Sequence, residues 1–139
     1  MLSMKTKYGL KALSYLARQE FNVPVLISEI SESENISKKF LESILLTLKK
    51  NGVLASKKGK GGGYYLLKRP NQIKISTVIR VLEGPIAMLP CVSLNYYEKC
   101  DDCISEERCS LNILMAEVRD STLKILEILI LENLNCGDH

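Results

Sequence analysis

The sequence predicts a mainly α fold with a small β wing, closed by one long C-terminal helix. Three observations predict it. Residues 37–51 carry an apolar stripe at helical spacing, a glycine-rich reversal lies between two short strand-like runs, and an unusually apolar stretch follows residue 110. The 139 residues give room for one ordinary domain with an appended helix, and too little for two full-sized cores. A composition that is 46% hydrophobic and 25% charged is that of a globular chain and not of a disordered one.

Taken in order, residues 3–19 space Leu10, Leu13, Tyr15, Leu16 and Ala17 as a helix does. A second, barely two-turn helix over 27–34 follows Pro24, with Asn35 placed to end it. Ser37 then stands as an N-cap before Phe40, Leu41, Ile44, Leu45 and Leu48, a stripe that stops at Asn51-Gly52. Strands are expected over 53–57 and 64–68. Between them Lys58-Gly59-Lys60-Gly61-Gly62-Gly63 permits a reversal closed to other residues and brings backbone close to a partner. The loop lacks GxxxxGK[ST] and precedes a strand, so it is no P-loop. A further helix over 75–82 ends at Gly84-Pro85. Residues 86–109 show no sustained period, and residues 110 to about 134 predict one helix with more apolar positions than a single narrow stripe holds. Packing against a second copy of the chain accounts for that excess, with Leu123, Leu126 and Ile130 between the two chains.

Charge divides the chain in two. Residues 1–80 hold 15 Lys and Arg against 5 Asp and Glu, whereas residues 81–139 hold 4 against 11. A polyanion is drawn to the first part and repelled by the second. The first 26 residues carry Lys5, Lys7, Lys11, Arg18 and Glu20 in place of a continuous apolar core, so no secretion signal is expected there. No apolar run reaches the roughly 20 residues of a membrane span. The expectation is a cytoplasmic protein without a membrane partner. Its one histidine is His139, and no acid/base pair or activated nucleophile can be assembled from the chain, so no enzymatic activity is expected.

Short helices joined tightly and followed at once by a hairpin have the order of a winged helix-turn-helix. The run ISKKFLESILLTLKKNGVL over 36–54, then SKKGKGGGYYLLK, then IRVLEGPIA ahead of a cysteine cluster, resembles the Rrf-two family of bacterial transcription regulators. The resemblance spans nearly the whole chain. It implies a homodimeric winged-helix repressor or activator of transcription, dimerised by its C-terminal helices, whose cysteines hold an iron–sulfur cluster. The domains expected are a DNA-binding winged helix over 1–84, a cysteine-rich sensor loop over 85–109, and a dimerisation helix with its tail over 110–139.

The residues make physical sense for duplex DNA. Behind the Ser37 cap, Lys38, Lys39, Glu42 and Ser43 oppose the apolar stripe and are free to enter a major groove. The lysines suit guanine edges or phosphates, and Glu42 suits the cytosine amino group. The plainer reading of Lys38 and Glu42 is an i, i+4 surface pair worth about 0.3 kcal/mol. Lys57, Lys58 and Lys60 sit on the wing tip with Gly61 among them. The resemblance places Lys58 where the family often carries a basic residue that reaches into the minor groove.

Cys91, Cys100, Cys103 and Cys109 are spaced C-x8-C-x2-C-x5-C. Thiols so close together in a reducing compartment are commonly gathered by a soft metal, and both zinc and an iron–sulfur cluster accept four thiolates. Without a metal they would be thiol sensors or small buried hydrophobes, the latter being the expectation for the isolated Cys136. The resemblance matches Cys91, Cys103 and Cys109 to cluster ligands, with a [2Fe–2S] group ahead of a [4Fe–4S] one. Asn112 stands where a cluster-binding relative carries a histidine, so Cys100 is the expected fourth ligand. A second function from another class is a dimer that docks on a metabolic enzyme, its cysteines holding structural zinc or no metal. Salt-dependent affinity for duplex DNA separates the two.

Overall fold

The computed structural model describes residues 2–134. Its elements are α1 (Met4–Ala17), α2 (Ile27–Glu34), α3 (Lys38–Lys50), β1 (Leu54–Lys57), β2 (Gly63–Leu66), α4 (Ile75–Leu82) and α5 (Ser110–Leu126), joined by short 3-10 turns. The architecture is the expected winged helix-turn-helix followed by a C-terminal helix. Cys136 and His139 lie outside the described residues.

Each helix of the first half is started and stopped by local chemistry. The Ser3 hydroxyl accepts from the Thr6 N–H at the head of α1, and the Ser37 hydroxyl accepts from the Phe40 N–H at the head of α3. Asn35 ends α2 in the left-handed conformation with φ of 55°, as its short polar side chain allows. Leu13 and Leu16 of α1, Ile30 of α2, Leu41, Ile44, Leu45 and Leu48 of α3, and Val78, Ile79 and Leu82 of α4 bury one shared core. Glu34 is buried at the end of α2 and is met by Arg18 at 2.9 Å, so this pair fastens α1 to α2 where an unpaired carboxylate would be costly.

The wing is a two-stranded antiparallel hairpin pairing Leu54 with Leu66 and Lys57 with Gly63. Each strand is offset by a residue or two from the expected limits. A third segment stiffens it: Val25 and Tyr64 exchange both backbone hydrogen bonds at 2.8 Å. Gly63 is required there, since a Cβ would stand 2.3 Å from the Val25 carbonyl oxygen.

The C-terminal region departs from expectation. The helix stops at Leu126, and the chain returns to the winged domain instead of continuing to residue 134. The cause is burial. Leu131 is fully buried in the core of the first half, and Ile130 forms a β-bridge with Lys74. Leu131 N–H donates to the Ile73 carbonyl at 2.7 Å and Ile75 N–H donates to that of Leu129 at 3.0 Å. Glu127 adds ion pairs to Lys74 at 3.4 Å and Arg80 at 3.3 Å. Partial desolvation pushes its carboxyl up, but these two cations outweigh it and hold the group below its ordinary value.

This return engages part of the expected contact surface within the chain itself, while Leu123, Leu126 and Ile130 all stay partly exposed. Ile130 is engaged within its own chain, and Leu126 packs against the core. Even so, no residue of the 17-residue α5 is fully buried. Leu111, Ile113, Leu114 and Ile125 are more than half exposed.

Candidate nucleic-acid interface and cysteine cleft

On α3 the side chains divide as the sequence requires. Leu41, Ile44, Leu45 and Leu48 face the core, while Ser37, Lys38, Lys39, Glu42 and Ser43 are exposed at its N-terminal end. The capped N-terminus presents backbone N–H groups and a positive dipole end on the same side as the two lysines, which suits phosphate. Lys38 and Glu42 are both exposed and form no ion pair among those of the described residues. Tyr8 of α1 meets Phe40 edge-on, with ring centroids 5.7 Å apart, and so fixes the pose of this end of α3.

The wing presents its basic residues at the hairpin tip, where Lys57, Lys58, Lys60 and Gly61 are all exposed. Gly59 and Gly61 adopt φ of +89° and +76°, which makes the reversal sharp enough to hold three lysines on one short loop. Val53 N–H, just ahead of β1, donates to the Leu48 carbonyl at 3.0 Å and ties the start of the wing to the end of α3. Helix and wing are therefore joined directly in the chain and present two cationic projections.

The four cysteines come together. Cys91 lies in the 3-10 turn Pro90–Val92, Cys100 and Cys103 close a turn through the Cys103 N–H to Cys100 carbonyl bond at 3.1 Å, and Cys109 is the N-cap of α5. All four line one cleft of about 570 Å³ with Asp102, Glu107 and Asn112. Cys91 is buried and the others are partly so. A hydrogen bond with Cys91 is the main cause that raises the Cys100 thiol above its ordinary value, followed by desolvation and by the negative charge around it. Tyr97 donates to Glu106 across the same loop, which pushes its phenol up to about 12.

Asn112 has a role that sequence spacing did not reveal. Its backbone N–H donates to Cys109 Sγ and its side-chain Nδ2–H donates to Cys91 Sγ, both at 3.4 Å. One residue thus joins the first and last cysteines of the motif. The signal available in the sequence was its position three residues after Cys109, on the first turn of α5. Arg119, two turns further on, donates to the Val92 carbonyl at 2.7 Å and clamps the Cys91 turn against α5.

Among the described residues no group of three or more His, Cys, Asp or Glu is gathered tightly enough for a single metal ion. Four cysteines around one cleft supply the thiolate donor set that both zinc and an iron–sulfur cluster accept. N–H donors aimed at sulfur are also the usual surroundings of cluster ligands.

Residues 2–136 match the model of the Rrf2 family, described as iron-dependent transcriptional regulators. This chain belongs to the Rrf2 family. It is 44% identical over 137 residues to an rrf2-like helix-turn-helix transcriptional regulator of Rhodobacter capsulatus, covering 96% of this chain and 91% of that one. Among solved structures, CymR, the global cysteine regulator of B. subtilis, superimposes with a TM-score of 0.78 at 29% identity, covering 100% of this chain and 98% of CymR. IscR of T. potens gives 0.72, also at 29% identity, covering 96% and 84%. The fold is thus the winged helix of this family, and the Rrf2 chain described here is a transcriptional regulator and not an enzyme. No helix of the described residues is long and apolar enough to cross a membrane.

Proposed function

We propose that this Rrf2-family chain is a cytoplasmic homodimer that binds double-stranded DNA sequence-specifically through α3 and the wing. It senses iron–sulfur, redox or nitric oxide status at Cys91, Cys100, Cys103 and Cys109, which hold a [2Fe–2S] cluster. The observation that carries this reading is the way α5 joins the two sites. Cys109 caps its first turn, Arg119 grips the Cys91 turn at mid-length, and Leu131 just beyond its end is buried in the DNA-binding core.

DNA recognition divides between the two cationic projections. Glu42 accepts from a cytosine amino group, Lys38 and Lys39 contact guanine edges or phosphates, and Ser37 and Ser43 flank them. Lys57, Lys58, Lys60 and the Gly61 backbone follow the adjacent phosphates or minor groove. Two copies join along α5, where Leu111, Leu114, Val118, Ser121 and Ile125 alternate at intervals of three and four, the spacing of a coiled-coil seam. That seam supports a dimer because the single chain leaves α5 without a fully buried residue.

A bound cluster supplies an iron- and redox-sensitive crosslink among the four thiolates. The protein's own part is to convert the order of that loop into the position of α5. Asn112 and Arg119 hold the Cys91 turn to the helix, and loosening that turn releases the helix from one side only. The Leu131 anchor then passes the shift to α4 and so to α3.

Selection from random duplexes, followed by affinity measurement at several salt concentrations, tests the DNA part. A single motif should emerge, and log affinity should fall with log salt by about 0.9 per phosphate contact. A salt-independent or motif-free result would instead support docking on a protein partner. The shared cleft of the four free cysteines also suits one alternative for the sensor, a metal-free thiol pair. Iron and sulfide content of anaerobically purified protein separates the two, since the thiol pair needs neither.

A further inference from the structure

We propose that Leu46 reads a thymine methyl group in the major groove, beside the base pair addressed by Glu42. The inference rests on DNA binding through α3 and adds a base that none of the residues named above would distinguish.

Successive residues of a helix are turned by about 100°. On α3 the buried Leu41, Ile44, Leu45 and Leu48 define one side, and the line opposite to them runs through Lys39, Ser43, Leu46 and Lys50. Leu46 therefore lies at the centre of the outward face and is 46% exposed. Its neighbours on that line are two lysines and a serine, as a solvated or phosphate-facing surface requires. The other exposed apolar residue of the helix, Phe40, is on the flank and is met there by the Tyr8 ring. Leu46 alone offers an unstacked apolar surface toward the groove.

The major-groove edge of a base pair carries hydrogen-bonding groups and, at thymine, a methyl group that apolar side chains contact. A leucine at the centre of a recognition helix matches that methyl and nothing else on the groove floor. Leu46 is four residues beyond Glu42, about 6 Å further along the axis at about 1.5 Å per residue. Base pairs are spaced by about 3.4 Å, which sets the thymine within about two base pairs of the one read by Glu42.

The test uses the full-length protein and the duplex it selects. Each thymine of that duplex is replaced in turn by uracil, which removes the methyl group and leaves the hydrogen-bonding edge intact. Affinities are measured at one salt concentration for wild type, Leu46→Ala and Leu46→Asn. One uracil, within about two base pairs of the Glu42-dependent position, should weaken wild-type binding about fourfold, as expected for one apolar carbon group returned to water. Both variants should bind the thymine and uracil duplexes equally. The inference is overturned if no uracil affects wild type, or if Leu46→Ala keeps the full preference for thymine. A wild-type protein that selects no duplex at all would overturn the DNA reading itself, and this inference with it.

Discussion

At the scale of single residues, helix and wing are expected to fail differently. Glu42→Ala should relax discrimination at one or two base pairs, since a good base contact carries about 1–3 kcal/mol. Lys58→Ala should weaken binding to all duplexes and lower the salt slope by about one phosphate contact. Motif selection and a salt series with each variant check both outcomes, and an unchanged motif for Glu42→Ala would exclude base reading by that residue. At the cleft, replacing Cys91, Cys103 or Cys109 by Ala should abolish visible absorbance, and Cys100→Ala should destabilise it. Asn112→Ala should keep the bands while speeding iron loss to a chelator, because it deletes the side-chain N–H bond to Cys91 and leaves the backbone bond to Cys109 in place. Loss of all absorbance in Asn112→Ala would make it a ligand instead.

At the scale of elements, α3 and the wing were legible because their signals are local. A Ser cap, a five-residue apolar stripe and a glycine run specify them without reference to distant residues. The end of α5 was not legible for the opposite reason. Residues 127–134 are as apolar as the helix before them, and only tertiary burial of Leu131 and the bridge from Ile130 to Lys74 turn the chain back. Leu131→Ala should cost about 2–5 kcal/mol, measurable as a lower midpoint in denaturant. A shift below about 0.5 kcal/mol, ordinary for a surface change, would mean that the anchor contributes little. The seam on α5 gives the matching prediction for assembly. Leu114 and Ile125 replaced together by Asp should yield monomers with weakened DNA binding, read by sedimentation; an unchanged sedimentation coefficient would place the interface elsewhere.

At the scale of the whole molecule, charge and connectivity act together. The basic first half attracts a polyanion and the acidic second half repels it, so in the proposed function DNA meets the winged helix and not the cysteine loop. Spacing identified the four cysteines but not the links between them, because Asn112 and Arg119 act through folded contacts that cross from the cysteine-rich loop to α5. Those contacts make the central claim testable: the state of the cleft sets the placement of the recognition helices. The most direct measurement is the affinity of anaerobically purified protein for its selected duplex, before and after its iron is removed by a chelator at constant salt. The protein should arrive with iron and sulfide, lose its visible absorption on chelation, and change affinity for that duplex by at least about fivefold, the lower end of a typical coupling between sites. Equal affinity in the two states, or a colourless preparation without iron, would contradict it.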